Sequence, residues 1–369
     1  MLKRLYVHNF RCLENFDLPI GDLHSALLIG KNGAGKTTIG NALEVLQKIA
    51  RGKNRVGEIV RPKDFSRGQA DVPMRFEVEV LLGKKLYQYM LTFELPENFK
   101  EMRVREESLT VDGKQIYKRE QATVTLSRSG MNHESKFTID WHLVALPIIQ
   151  QSSKDDPITE LKSWLERMLI LRAIPSLMKG TSDDETLLPE KDISDYGAWF
   201  SGILASAPAA YSRVDTFLKT VMADLRDIQN PLVGPETRSI SLRFSKENRT
   251  LPIPFDDLSD GEKCFMICAL VLACHLVWDE VFCFWDEPDN YLSPDEVGYV
   301  AIELRKAFKN SGQLIVCSHS PQLIERFSSE NTLVMDRRSH LDPSIVRPLS
   351  EIEVHGDFST ALMLGEVRV

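Results

Sequence analysis

The chain has 369 residues, 43% of them hydrophobic, and a formal net charge of −8; that suffices for one large domain or two ordinary ones around a substantial core. The negative balance argues against nucleic-acid binding over the whole surface, which rests on neutralising phosphates. No apolar run approaches the roughly 18 residues of a membrane span; the start of the chain lacks the apolar stretch and small-residue cleavage site of a secretory leader, and a cytoplasmic protein without membrane contact is expected.

In chain order, 2–9 reads as an opening strand, followed by Asn9, Phe10 and Arg11, and 16–20 as a second short strand. Ser25 to Ile29 is a short apolar run that reads as a buried strand. It leads into Gly30-Lys31-Asn32-Gly33-Ala34-Gly35-Lys36-Thr37-Thr38, which fits the phosphate-loop pattern. Ile39, Leu43, Leu46 and Ile49 then recur at helical spacing. A strand, a glycine-rich turn and a helix aim backbone N–H groups and a helix N-terminus at one point, where an anion meets partly positive groups. Glycines 30, 33 and 35 let the backbone come close and take positive φ. In this pattern Lys36 reaches the β- and γ-phosphates and the Thr37 hydroxyl binds Mg²⁺.

Seven basic residues lie at 48, 51, 53, 55, 61, 63 and 67, opposed only by Glu58 and Asp64. They form either a solvated loop after the first helix or a polyanion contact. From 72 to 146 the pattern is largely period two. Met74 to Val80 alternates, Gly83 and Lys84 turn the chain, and Asp112-Gly113 marks a hairpin within 108–117. Segments 122–127 and 136–141 continue an antiparallel β-lobe.

Residues 158–228 switch to helical spacing. Ile158, Leu161, Trp164, Leu165, Met168 and Leu169 mark one helix, and 193–204 and 209–228 suggest two more. No heptad run is long enough for an extended coiled coil. A hairpin is expected over 240–255. From 256 onward strand and helix alternate: helix 260–277, strand 281–285, helix 295–308, strand 313–317, helix 321–327 and strand 332–336. Such alternation implies a parallel sheet covered on both faces. The six cysteines, at 12, 264, 268, 274, 283 and 317, include no Cys-x-x-Cys pair, which suits buried, reduced thiols.

The strand ending at Trp285 runs into Asp286, Glu287 and Pro288. Ligands sit beyond the carboxyl ends of parallel strands. Asp286 can therefore hold Mg²⁺, directly or through water, and Glu287, pointing elsewhere, can take a proton from an attacking water. His319 follows the next strand, where it can bond a γ-phosphate or simply cap a turn. Leu258-Ser259-Asp260-Gly261-Glu262-Lys263 precedes a very apolar helix. Read locally it is an N-cap with Glu at the third helical position, and the same hydroxyl and bare glycine make anion-binding geometry.

In this order the motifs resemble those of the ABC-type ATPases, and more closely the soluble AAA family branch that contains RecF, the SMC-like proteins and the OLD-type (overcoming-lysogenisation-defect) ATPases. Asn9-Phe10-Arg11 before the phosphate loop is typical of that branch. The resemblance covers 1–50 and 256–336 well and the middle in outline. It implies a P-loop ABC-type head: an ATPase core from 1–71 and 231–345, a β-lobe over 72–150, a helical insert over 151–230 and a tail over 346–369. It implies ATP and Mg²⁺ as cofactors, bound by Gly30, Lys31, Asn32, Gly33, Ala34, Gly35, Lys36, Thr37 and Thr38. Asp286 is then the Walker B carboxylate, Glu287 the catalytic base and His319 the switch histidine. Ser259 and Gly261 belong to a signature turn that contacts the γ-phosphate in the other subunit of a homodimer. Arg11 is a candidate nucleotide contact, and Gln150 or Gln151 the candidate Q-loop glutamine.

The sequence departs from the family in two places. The signature reads Ser-Asp-Gly-Glu, and Asp289-Asn290-Tyr291-Leu292-Ser293-Pro294 stands where many OLD-like relatives have Glu followed by Leu-His-Pro; slow turnover is one consequence. No OLD nuclease domain fits within the chain, and the insert is too short for SMC arms. The resemblance implies an ATP-sandwich dimer, or a higher oligomer, that regulates a protein effector such as a nuclease or toxin, in anti-phage defence. The alternatives are a DNA-binding RecF or SMC-like ATPase in repair or maintenance, a scaffold with a degenerate ATPase, and, more remotely, a transporter ATPase.

Overall fold

Period-two patterning builds the first large sheet, and apolar runs build the second. The computed structural model describes residues 1–127, 135–150 and 156–352. In chain order its elements are β1 (Leu2–His8), β2 (Phe16–Leu18), β3 (Ser25–Gly30), α1 (Lys36–Ala50), α2 (Val56–Ile59), β4 (Met74–Leu82), β5 (Lys85–Glu94), β6 (Arg103–Val111), β7 (Lys114–Glu120), β8 (Thr123–Leu126), β9 (Ser135–Thr138) and α3 (Pro157–Glu166). There follow β10 (Leu169–Leu171), β11 (Thr181–Ser182), α4 (Tyr196–Ser206), α5 (Ala210–Val221), β12 (Leu225–Gln229), β13 (Arg238–Ser239), β14 (Ser241–Lys246), β15 (Arg249–Pro254), α6 (Asp260–Cys274), β16 (Phe282–Asp286), α7 (Pro294–Phe308), β17 (Gln313–Cys317), α8 (Pro321–Arg326), β18 (Thr332–Asp336) and β19 (Ile345–Pro348). They form two compact units: 1–23, 28–168 and 329 onward in the first; 24–27 and 169–328 in the second.

The first unit carries an antiparallel sheet in the order β2-β1-β4-β5-β6-β7-β8-β9. β1 and β2 join this sheet through β1–β4 pairing, so it begins at residue 2 rather than at 72. Its inner face buries Met74, Phe76, Val78 and Val80 from β4 against Tyr89, Leu91 and Phe93 from β5, the alternation that half-buried strands require. Phe10, Phe76 and Phe93 meet edge to face, at 5.2 and 6.2 Å between centroids. The Asp112-Gly113 turn has φ of 49° and 76°, the two positive values that a tight hairpin twist favours. In the same unit, β3, β18 and β19 lie in that order in a second sheet, and α3 packs on α1.

A buried carboxylate fastens the far end of the β-lobe. Glu107 is fully buried. It accepts from the Tyr89 and Tyr117 hydroxyls (3.1 and 2.8 Å) and from the Ala145 and Leu146 N–H groups (2.8 and 2.9 Å). Arg119, also fully buried, stands 3.8 Å away and donates to the carbonyls of Gln121, Asp140 and Leu143. Burial and the neighbouring carboxylate push both tyrosine pKa values well up, so these hydroxyls stay donors.

In the second unit β10, β16 and β17 are parallel, with β3 next in the order; Leu314 N–H donates to His24 O at 2.9 Å. β16 and β17 are buried throughout, as strands covered on both faces are. α6 buries every residue from Lys263 to Cys274. Tyr196 of α4 stacks on Phe255 at 4.6 Å and donates to the Met266 carbonyl.

Two expected helices end early. The one through Leu169 stops at Glu166, and Leu169 to Leu171 form β10, because three consecutive apolar residues bury both faces beside β16. The one through 228 stops at Val221, and Leu225–Gln229 becomes β12, paired antiparallel with β14. The insert expected to be helical over 151–230 is therefore mixed in its described residues, from 156 onward. All six cysteines are buried and free.

Replacing Glu107 with Ala should cost at least about 3 kcal/mol, because it leaves the buried Arg119 charge without its carboxylate and takes the acceptor from four donors. Tyr89→Phe, which removes one of the donors, should cost only about 1 kcal/mol. Urea unfolding of the two variants against the parent checks the order; equal costs would contradict it.

Candidate functional site

The glycine turn lies in the first unit. Gly30, Gly33 and Gly35 have φ of 152°, 82° and 109°, in or near the territory glycine alone enters freely. A Cβ on Gly30 would lie 2.2 Å from the Met335 carbonyl oxygen, and one on Gly35 would lie 2.7 Å from Ser344 Oγ and 2.9 Å from Cys12 Sγ. Gly35 is also the N-cap of α1, with no side-chain cap. The Lys36 ammonium, on a nearly buried side chain, donates to Gly30 O at 2.7 Å and Lys31 O at 3.3 Å. It therefore sits within the curl of its own loop. Lys31, Asn32 and Gly33 at the tip are exposed, Ala34 is buried, and Thr37 and Thr38 are in the first turn of α1.

Cys12 and Ser344, which no sequence motif flagged, support this loop. Cys12 Sγ approaches Thr38 Oγ1 at 3.5 Å, and Ser344 N–H donates to Cys12 O. Asn9 is a buried clamp: its amide accepts from Ser66 N–H and donates to the Gln69 and Val72 carbonyls. Arg11 pairs with Asp64 at 3.0 Å and leans over the Phe10 ring. Three of the seven cations of the basic stretch are paired with acids. Lys48 pairs with Glu44, Arg55 with Glu101 and Arg67 with Glu14, while Arg51 bonds the Glu166 carbonyl. Gln150 is exposed; Gln151 lies outside the described residues.

The acidic strand end lies in the second unit. Asp286 closes β16, is 3% exposed, and pairs with Cys317 at the end of β17. The next residue turns the chain sharply: Glu287 has φ of 56°, and its N–H donates to Cys317 O at 2.8 Å. The Asp286 side chain thus stays with the strand while Glu287 diverges, its carboxylate accepting from Asn290 Nδ2 at 2.9 Å. His319, exposed, lies two residues past Cys317. The buried Ser318 bonds the Asp289 carboxyl, whose pKa burial raises. Arg172, just after β10, has Nε 3.8 Å from Asp286 Oδ2. Arg172 was missed in the sequence because its partner strand is far away in the chain and β10 is only three residues long.

The Ser259 turn realises the local capping box. The Ser259 hydroxyl and N–H donate to Glu262 Oε2 at 2.7 and 2.8 Å, and Glu262 N–H returns a bond to Ser259 Oγ at 3.3 Å. A Cβ on Gly261 would lie 3.0 Å from Tyr291 O, so that glycine lets the turn pack against the loop that follows Asp286.

These residues fit a nucleoside triphosphate and Mg²⁺. The loop is a cradle that a Cβ at 30 or 35 would fill, and its lysine is already drawn inward by carbonyls. Among the described residues no group of three or more His, Cys, Asp or Glu could cage a metal ion. Also among the described residues, no helix is long and apolar enough to cross a membrane.

Comparisons with known proteins bear on the family and the fold. The model of the family described as "AAA domain, putative AbiEii toxin, Type IV TA system" matches residues 25–325. An OLD nuclease of Thermus scotoductus is 59% identical over 46 residues, 12% of this chain and 8% of that protein. The chromosome partition protein Smc of Chlorobaculum tepidum is 38% identical over 69 residues, 19% of this chain and 6% of that one. The chain thus spans less than a tenth of the length of these two relatives. Among solved structures, an Smc head bound to the C-winged helix domain of ScpA superposes with a TM-score of 0.58 at 14% identity, over 95% of this chain and 98% of that one. An Smc head with an extended coiled coil, bound to the C-terminal domain of ScpA derived from Pyrococcus furiosus, gives 0.54 at 13% identity, over 99% and 98%. These two show the fold. With residues 25–325 matched by the family model, the chain belongs to this AAA-domain family, and its fold is that of an SMC head.

Proposed function

We propose that the protein is an ATP-dependent switch that hydrolyses ATP to ADP and phosphate and dimerises around the nucleotide. The observation that carries this reading is the phosphate loop, whose lysine is held within a glycine curl too tight for any side chain at Gly30 or Gly35. Residues 30–38 bind the triphosphate: backbone N–H groups and Lys36 take its negative charge, and Thr37 and Asp286 hold Mg²⁺. When bound, the metal ion neutralises charge developing on the phosphate oxygens. Glu287 takes a proton from the attacking water as its oxygen bonds to the γ-phosphorus and the bond to the β-phosphate oxygen breaks. His319 bonds the γ-phosphate. Arg11, with Gln150 or Gln151, completes the nucleotide contacts.

In the dimer each ATP lies between one subunit's phosphate loop and the other's Ser259–Gly261 turn, a contact repeated twice about a two-fold axis. Opening the capping box would free the Ser259 hydroxyl for the phosphate. ATP favours the closed state by differential affinity, and hydrolysis releases it. The switch acts on a protein effector, a nuclease or toxin, in anti-phage defence; the toxin–antitoxin description of the family and the local likeness to an OLD nuclease support this.

A second reading is a DNA-binding ATPase of RecF or SMC type, which the SMC-head fold favours. The local pairing of Lys48, Arg55 and Arg67 with acids leaves less free charge for phosphates than the sequence suggested.

Two experiments separate these readings. Glu287→Gln with ATP should yield a nucleotide-loaded dimer by light scattering, and Lys36→Ala should abolish both the dimer and phosphate release. A Glu287→Gln protein that stays monomeric with millimolar ATP would exclude the sandwich. Under the second reading, affinity for duplex DNA falls at least tenfold between low and physiological salt and again on charge reversal of Arg51, Lys53 and Arg55, by roughly a decade or more. Anisotropy that is indifferent to the reversal removes this segment from DNA binding.

A further inference from the structure

Arg172 follows β10, whose parallel register on β16 runs Leu169 to Cys283, Ile170 to Phe284 and Leu171 to Trp285. The next step of that register brings Arg172 level with Asp286. Its backbone is fixed there: Arg172 N–H donates to Lys191 O at 2.7 Å, and Ile174 N–H to Asp192 O at 3.1 Å. The 3.8 Å between Nε and Oδ2 is too long for a hydrogen bond, so the attraction is Coulombic and leaves the guanidinium free to shift. The ends of the pair differ sharply, with the Asp286 side chain 3% exposed and the Arg172 side chain 53% exposed. A buried carboxylate needs a counter-charge, whereas a half-exposed arginine gives one up to water at small cost. A cleft of about 690 Å³, lined in part by Arg172, Glu190, Asp192, Asp286, Glu287 and Asn290, gives the side chain room to move and other carboxylates to move toward.

We propose that Arg172, beside whatever else the Asp286 carboxylate meets in a cleft that Lys191 also lines, is a stand-in counter-charge for that carboxylate. It balances the carboxylate while no divalent cation is bound, and it withdraws into the cleft, toward Glu190 and Asp192, when Mg²⁺ takes the carboxylate. This deepens the reading of Asp286 as the metal carboxylate and rests on it. Arg172 is therefore a positioning residue: it keeps the Asp286 carboxylate aligned, and its charge opposes the incoming cation. A unit charge a few ångströms from a divalent ion in a partly exposed site weakens metal binding by about tenfold, so a guanidinium that competes for the carboxylate sets the metal affinity as well as the geometry.

The test is a Mn²⁺ titration followed by electron paramagnetic resonance, on the full chain with saturating ADP. Arg172→Ala and the neutral, hydrogen-bonding Arg172→Gln should each bind Mn²⁺ about tenfold more tightly than the parent. Arg172→Lys, which keeps the charge, should stay within a few-fold of it, and Asp286→Asn should lose most of the affinity. Thermal unfolding gives a readout independent of turnover: without metal the two neutral variants melt lower than the parent, and Mn²⁺ raises their midpoints by more. If Asp286→Asn lost the metal but both neutral variants bound it as the parent does, or more weakly, the stand-in role would be overturned and the assignment of Asp286 would survive. If Asp286→Asn bound Mn²⁺ as the parent does, that assignment would fail and the role of Arg172 with it.

Discussion

The left-handed backbone at Glu287 is the constraint on which the chemistry of the second unit depends. A side chain at φ of 56° costs on the order of 1–2 kcal/mol. The cost is met locally, by the Glu287 N–H bond to Cys317 O and the Asn290 bond to the Glu287 carboxylate. Its consequence is separation. A strand that simply continued would alternate its side chains across the sheet, and the chain would leave the strand end gradually. The abrupt turn keeps Asp286 on the buried strand and releases Glu287 into a cleft with Asn290 and Tyr291. Two adjacent carboxylates thus gain different surroundings, which two adjacent acids need if one is to hold a cation and the other to accept a proton. Strain kept at such a point by surrounding hydrogen bonds is characteristic of functional sites.

The phosphate loop solves a related problem by the opposite means. At Glu287 a side chain is forced into glycine territory; at Gly30 and Gly35 glycine is used because other atoms occupy the space a side chain would need. Met335 O, Ser344 Oγ and Cys12 Sγ press on the loop from three separate stretches of the first unit. Its conformation is therefore set by the fold and not by the loop's own sequence, and binding an anion there need not pay again for ordering the backbone. The inward Lys36 has the same character, since an ammonium held by carbonyl dipoles is already placed for a stronger, charged partner.

How legible each part was in the sequence depends on the range over which its causes act. The hairpin of β6 and β7 could be read because its turn, Asp112-Gly113, and its alternation are local. β16, β17 and β18 could be read as apolar runs, because strands covered on both faces show no other pattern. The phosphate loop and the Asp-Glu pair stood out because fixed residue types occur at fixed spacing. β10 was absorbed into a helix because three apolar residues carry no period of their own and only pairing with β16 makes them a strand. β12 was lost in the same way, to a helical pattern that tertiary pairing with β14 overrode. Cys12, Ser344 and Arg172 gave no signal, since each matters only through a neighbour supplied by a distant segment. In the basic stretch from 48 to 67 the local count was incomplete: Glu44, Glu101 and Glu14, which pair with three of its seven cations, lie outside the window in which its charge was counted.

Two buried carboxylates show how the same physics yields either structure or a site. Glu107 accepts from four donors with a fully buried arginine beside it. Its surroundings are apolar and closed, so nothing from solvent can compete for it, and its work is to tie the 143–146 segment to the β-lobe. Asp286 is almost as buried but sits at an open strand end, and its arginine is half in water and beyond hydrogen-bond length. Moving that arginine costs little, whereas moving Arg119 would strand a charge in the core. A carboxylate with a tight, enclosed partner is finished as a structural element; one with a loose, hydrated partner keeps its charge available at small free-energy cost. By that criterion Glu107 is a structural carboxylate, whereas Asp286 sits at the end of a parallel strand, where the ligands of such sheets bind.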